Sequence, residues 1–478
     1  GTPMAHYELH AWIVLLLGWL FLPFYIRSGA FTMPEFLEKR FDSRSRWFLS
    51  LFSLVAYVLT KVSVTIYAGG IVVSELLAIP FWYGAIGIVI FTGIYTVIGG
   101  MKAVIYTETL QTVVLILGSV IITYLGLQEV GGWSELRATV TAVSPDHFNM
   151  WRPMSDPQFP WTGLFIGGTI VGIWYWCTDQ YIVQRTLAAN NIKIGRRGAI
   201  FGAYLKLLPI LIFLVPGIIA FALSIQNPEV FSVDKADRAF PMLVKTLLPV
   251  GLKGLVAGGL MAALMSSLAS VFNSCSTIFT IDIYKKLKPE KSEASLLVTA
   301  KIATGFIVIL GIIWIPIMEK IGGGVMYQYL QNVQSYIAPP VTAVFLLGII
   351  WKRVNSKAAI TTLMSGFLLL ALRLGSEIYF QPQIAKNEVV SHVLYDFAII
   401  NFSHMAIFMF VFSVILCVTI SLLTTAPDYK TIVGLSFGTL TEDQKQAHRD
   451  SYDRIDVLLS VILVFLAVSY THLRAHET

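Results

Sequence analysis

The chain has 478 residues, 56% of them hydrophobic and only 13% charged, with a formal net charge of +6. A soluble domain of this length would carry about a quarter charged residues. So little charge cannot cover the surface of a large water-soluble protein, whereas a surface facing hydrocarbon needs none. The Lys and Arg residues fall in short loops between apolar stretches, which is a topology signal and implies no nucleic-acid partner.

A spanning helix needs about 20 mostly apolar residues. Twelve stretches meet that need, and in chain order they are 10–27, 46–77, 81–99, 104–127, 161–183, 198–224, 247–284, 297–318, 326–350, 358–379, 395–424 and 454–469. The stretches 46–77 and 247–284 are too long for one straight span and are expected to tilt or to continue into water. The alternate loops 27–46, 100–103, 184–197, 285–296, 351–357 and 425–453 carry about twenty Lys and Arg, against about seven in the opposite set. The first set is therefore cytoplasmic, and the loops 128–160 and 379–394 are external.

Gly1 is not a start residue, and the last apolar helix stops at about Val468. The polar tail 469–478, with two His, reads as a non-native addition to a transmembrane domain over 1–468. Cys177, Cys275 and Cys417 each lie in an apolar helical stretch, with no metal-site spacing. They are packing residues by this reading.

Ionisable groups at membrane depth are expensive, so each asks for a partner or a function. Lys61, Glu108, Asp179, Lys206 and Arg373 lie within or near apolar stretches. The segment Ala262–Ser270 is rich in small residues and reads in two ways. Small residues let helices pack closely, and adjacent hydroxyls with a nearby carbonyl are hard oxygen ligands for a small cation such as Na+. Chemistry by itself favours packing. Trp174-Tyr175-Trp176-Cys177-Thr178-Asp179-Gln180 sets aromatic rings beside polar groups, an arrangement that suits lipid belts, cores and sugars alike. Gln328, Gln331 and Gln334 recur every third residue, near one helical face. Gly99-Gly100, Gly167-Gly168 and Gly322-Gly323-Gly324 loosen the backbone near helix ends. No nucleotide-binding loop or metal-ligand cluster is present in the sequence, so no cofactor and no ATP-driven step is implied.

Several of these motifs carry a resemblance. Tyr95-Thr96-Val97-Ile98-Gly99-Gly100-Met101-Lys102-Ala103 resembles the signature of the sodium/solute symporter family. Trp174 through Arg185, Tyr204-Leu205-Lys206-Leu207, the run from Met265 to Tyr284 and the run from Val344 to Asn355 resemble its sodium–glucose cotransporter branch. The resemblance extends from about Tyr7 to about Val468. It implies an all-α polytopic membrane protein with the leucine-transporter-like inverted-repeat fold and about twelve transmembrane helices present. It also implies inward symport of a glucose- or galactose-like sugar, with Na+ as coupling ion, by a multi-pass protein of the plasma or bacterial inner membrane.

Carried over by matching position, Ala263, Ser266 and Ser267 would be sodium ligands, which moves the reading of the Ser pair from packing to ion site. Glu8, Lys206 and Gln331 would hydrogen-bond the substrate, and Trp176 would support the sugar ring. Tyr175 would be the inner gate and Tyr327 part of the outer gate. Glu108 falls at an acidic position linked to the sodium path. Gly172 departs from the pattern, standing where sugar transporters have an Asn or Thr contact. Ala11 replaces a Ser of some relatives, and the family's first broken helix, expected just before Glu8, would be missing, so the resemblance implies a symporter domain over 1–468 lacking its first helices. The alternatives are symport of another solute (an inositol, a carboxylate or an amino acid) and a non-transporting sugar sensor. An enzyme is disfavoured, because no nucleophile–base constellation appears.

Overall fold

The computed structural model describes residues 2–232, 235–321, 326–386 and 388–475, and the described residues are helical with no strand. Gly322, Gly323 and Gly324, and the tail residues 476–478, lie outside them. Among the described residues, nine helices are long and apolar enough to cross a membrane, and Phe81–Ile94 and Gly163–Thr178 are shorter apolar helices. The twelve expected stretches all fall on helix, the last of them on Arg454–Ala475.

One expectation is overturned. The turn at 100–103 is absent, and a single helix of 50 residues runs from Phe81 to Val130. At 1.5 Å per residue it is about 75 Å long, well beyond a bilayer's thickness. No proline interrupts this stretch, so no backbone donor is lost. Each glycine of Gly99-Gly100 costs only about 1 kcal/mol in a helix, which cooperative turns on both sides outweigh. The helix stops at Gly131, where φ of +98° needs a residue without a Cβ.

The chain divides into two compact units. One comprises Gly1–Ala5, Leu54–Asn149 and Leu208–Leu330. In it, helix Val250–Thr277 packs along Phe81–Val130 through glycines. A Cβ on Gly118 would come within 2.7 Å of Val256, and one on Gly259 within 2.8 Å of Val114. These close approaches bring the two backbones together, as small residues do in membranes. Ile122, Leu136, Ile219, Leu223 and Leu243 fill the adjoining core.

The other unit comprises His6–Ser53, Met150–Leu207 and Gln331–Thr478. Ala11, Val14, Ala199, Ala203 and Leu463 form one of its cores. Arg40 fastens the end of helix Met326–Ile350, donating from Nε to the Gly348 carbonyl at 2.8 Å and from Nη1 to the Val354 carbonyl at 3.1 Å. Helix Ser356–Ala385 starts at Asn355, whose side chain accepts from Ala358 N at 3.0 Å.

Among the described residues, six short π-helical segments interrupt the helices, Trp174–Thr178 and Ile210–Leu214 being two of them. Such one-residue widenings recur at functional sites.

Candidate substrate and sodium sites

Three of the singled-out ionisable residues have structural partners. Arg373 donates to Glu377 Oε1 at 2.9 Å and to the Ile400 carbonyl at 2.8 Å, while Tyr336 Oη donates to the same Glu377 oxygen at 2.7 Å. Asp179 caps helix Gln180–Leu187, accepting from Tyr181 N at 3.1 Å. Lys61 sits over the Tyr57 ring, 4.5 Å from its centroid. Glu108 and Lys206 remain.

Lys206 and Glu8 form an ion pair at 2.9 Å, with side chains 9% and 25% exposed. The Lys206 ammonium also lies 5.1 Å from the centre of the Trp176 ring. Each residue stands at a break in its helix. Glu8 belongs to Ala5–Leu9, which gives way to a turn at His10 and Ala11 before Trp12–Leu16 begins. Lys206 follows Ile192–Leu205 in a turn that runs to Leu208. Pro209 accounts for that turn, because it lacks an N–H and disfavours helix in the residue before it. Broken helices at membrane depth free backbone and side-chain groups for a solute. Trp176 is carried on the π segment Trp174–Thr178, which ends at extended Asp179. Tyr175 packs edge-on against Trp176, with ring centres 5.3 Å apart.

Gln331 lies in the same unit, 7% exposed, and its Oε1 has no protein hydrogen-bond partner. A buried amide oxygen left open is costly unless a ligand or water fills it. The contacts therefore join Glu8, Lys206 and Trp176 directly and leave Gln331 as an unfilled acceptor. Tyr327 is exposed and belongs to the other unit. Gly172 faces Ile13, whose Cδ1 would be 2.6 Å from an added Cβ, so a larger residue here would have to displace the end of that side chain.

Two groups escaped the sequence reading. His10 is 4% exposed with neither ring nitrogen partnered, and the buried Tyr7 hydroxyl is likewise open. Both rings pack at Gly168, where an added Cβ would be 3.2 Å from His10 Cε1 and 3.4 Å from Tyr7 Cε1. The signal was present, since His10 is an ionisable residue at the head of an apolar run.

In the other unit, Ser266 Oγ and Ser270 Oγ each donate to Glu108 Oε1 at 2.8 Å. Ser266 and Ser270 are one helical turn apart, and so are Ala263 and Ser267, which puts all four on one face of Val250–Thr277. Ser266 and Ser270 are buried, while Ala263, Ser267 and Glu108 are half-buried. One carboxylate and two hydroxyls offer hard oxygens and a negative charge, the donor set a small alkali cation takes. Ser270 was not singled out from sequence, because a lone Ser in a small-residue helix carries no mark until the carboxylate opposite it is known.

The substrate arrangement gives a direct expectation for its amide. Gln331→Leu, which removes the open oxygen, should raise the KM for the solute by roughly 5- to 100-fold, the size of a lost buried polar contact, and leave the ion dependence almost unchanged. Uptake kinetics that do not move would make Gln331 a packing amide.

Comparison with known proteins identifies the family. The model of the sodium:solute symporter family matches residues 1–366. The chain is 38% identical to sodium/glucose cotransporter 4 of Mus musculus, over 90% of this chain and 67% of that one. It is 37% identical to a sodium/mannose cotransporter of Bos taurus, over 92% and 78%, and 37% identical to the sodium/myo-inositol cotransporter of Homo sapiens, over 91% and 66%. In fold it is similar to a Na+-coupled sialic acid symporter solved in a substrate-bound outward-open state, with a TM-score of 0.69 and 24% identity over 89% of this chain and 86% of that one. This multi-pass membrane chain, with Na+ as its coupling ion, belongs to the sodium:solute symporter family.

Proposed function

We propose that this sodium-coupled symporter carries a neutral sugar or a sugar-like polyol into the cell. The observation that carries the reading is the Glu8–Lys206 pair beside Trp176. Each charge is neutralised by the other, so the pair presents hydrogen-bond donors and acceptors without a net charge. A polyol matches that surface, because its hydroxyls both donate and accept while its C–H face suits an aromatic ring. A carboxylate substrate would need an unspent cation or a helix N-terminus, and the Lys206 charge is already taken up by Glu8. The relatives named for glucose, mannose and myo-inositol all take uncharged polyhydroxy compounds.

Sodium enters through the oxygens of Glu108, Ser266 and Ser270, with Ala263 and Ser267 on the same face. Tyr175, edge-on against Trp176, would be the inner gate of the substrate site. Symport then follows from linkage, because an ion bound with the solute shifts the same conformational equilibrium.

The test is a sodium-gradient uptake screen in proteoliposomes. Labelled glucose, galactose, mannose and myo-inositol are compared with a carboxylate and an amino acid. Accumulation of a neutral polyol that disappears without the gradient is the expected result. Preference for the carboxylate or the amino acid overturns the substrate class. Sugar-evoked current without accumulation overturns transport in favour of a sensor.

A further inference from the structure

Arg27, Arg196 and His448 come from three segments that loop charge assigns to the cytoplasmic side. Arg196 is fully buried, donating from Nε to the Gly18 carbonyl at 3.2 Å and from Nη1 to the Ser451 carbonyl at 2.7 Å and its hydroxyl at 2.9 Å. Its guanidinium lies 4.5 Å from the Trp19 ring centre and 5.3 Å from that of Tyr452. The His448 ring meets the same Tyr452 edge-on, with centres 5.9 Å apart. Arg27 is within electrostatic reach of both Arg196 and His448.

Each of the three has a buried nitrogen without a protein partner: Arg27 Nη1, Arg196 Nη2 and His448 Nδ1. Burial, and then the charges of Arg196 and Arg27, hold the His448 imidazole below its usual pKa. The carboxylates beside the cluster are already engaged. Asp453 pairs with Arg197 at 2.6 Å and Lys193 at 3.2 Å, and Asp456 pairs with Arg197 at 2.8 Å. Positive charge and open donors are left over together, which is the arrangement that takes a phosphate.

A groove adjoins the cluster through Trp19. It is about 580 Å³ and is lined by Leu15, Trp19, Val461, Val464, Phe465 and Val468, among others. The Ser460 hydroxyl in it accepts from Trp19 Nε1 at 3.0 Å, so its polarity is already used. From Val457 to Val468 the groove follows helix Arg454–Ala475 for about 16 Å, at 1.5 Å per residue. An apolar slot that shares Trp19 with the Arg196 guanidinium suits a lipid with an anionic headgroup.

We propose that the chain binds one anionic phospholipid of the cytoplasmic leaflet, its phosphate on Arg27, Arg196 and His448 and one acyl chain in this groove. The site shares no residue with the polar set proposed for the sugar.

The test uses the purified, delipidated protein in detergent. Thermal unfolding is followed with dioleoyl phosphatidylglycerol, dioleoyl phosphatidylcholine or inorganic phosphate, and retained lipid is measured by mass spectrometry. Phosphatidylglycerol is expected to raise the midpoint by several degrees and to be retained, whereas phosphatidylcholine is not. Arg27→Gln and His448→Gln should each weaken the phosphatidylglycerol effect by roughly tenfold, the size of one charge-assisted contact. Val464→Trp, which fills the groove, should weaken it without altering the response to phosphate. Equal stabilisation by phosphatidylcholine overturns the charge recognition. Full stabilisation by inorganic phosphate, with Val464→Trp silent, overturns the lipid as occupant. Should Arg27→Gln fail to fold, His448→Gln and Val464→Trp decide the matter alone.

Discussion

Lys206→Ala should abolish sodium-driven uptake of the proposed polyol and destabilise the protein. Glu8 Oε2 lies 2.9 Å from Lys206 Nζ, and the substitution leaves that carboxylate unpaired among packed helices. Removing one partner of a buried ion pair costs about 3–5 kcal/mol, and the partial exposure of Glu8 puts this pair toward the lower end. The double variant Glu8→Gln/Lys206→Met removes both charges together, so it should recover most of the stability. It should not recover uptake, because a thioether in place of the ammonium cannot donate to a sugar hydroxyl. Unfolding in detergent and uptake in proteoliposomes separate the two effects. Normal transport by the double variant would reduce the pair to a structural role.

Glu108→Gln should raise the sodium concentration for half-maximal uptake by roughly 10- to 100-fold. The carboxylate supplies the charge of the set and accepts from two hydroxyls at 2.8 Å. Loss of such a charged contact is worth about 1.5–3 kcal/mol, and each 1.4 kcal/mol is tenfold. Ser270→Ala and Ser266→Ala should move the same parameter by smaller factors, and Ser267→Ala tests whether the rest of that helix face belongs to the ion path. Surface expression must be matched, since Glu108 also ties Phe81–Val130 to Val250–Thr277. Unchanged sodium dependence in Glu108→Gln and in the serine variants would remove this cluster from ion coupling.

The spans were legible because hydropathy summed over about 20 residues is a property of the chain taken in order. The break at 100–103 was misread because two glycines and a lysine look like a turn, while helix continuity depends on the turns to either side. Lys206 stood out as a charge in an apolar run, and Glu8 entered only through the family resemblance. Their pairing is a contact across 198 positions that no local pattern contains. Arg373 looked equally suspicious in sequence, yet Glu377 and Tyr336 account for it. A charge at depth signals that a partner exists, and the signal does not say whether the partner is protein or solute.

By itself the sequence determined the membrane solvent, the all-helical class, the positions of most apolar stretches and the residue types available for an ion and a polyol. All of these depend on composition and short-range period. Tertiary structure decided that Ser270 joins Ser266 on Glu108, that Glu8 neutralises Lys206 over Trp176, and that Gly172 faces the Ile13 side chain. It also decided that the Arg196 guanidinium lies over Trp19, whose ring lines an apolar groove along the last helix. The reason is physical. Burial and pairing are set by which helix faces meet, and those faces are brought together by close-packing glycines and by π segments whose placement depends on neighbours distant in the chain.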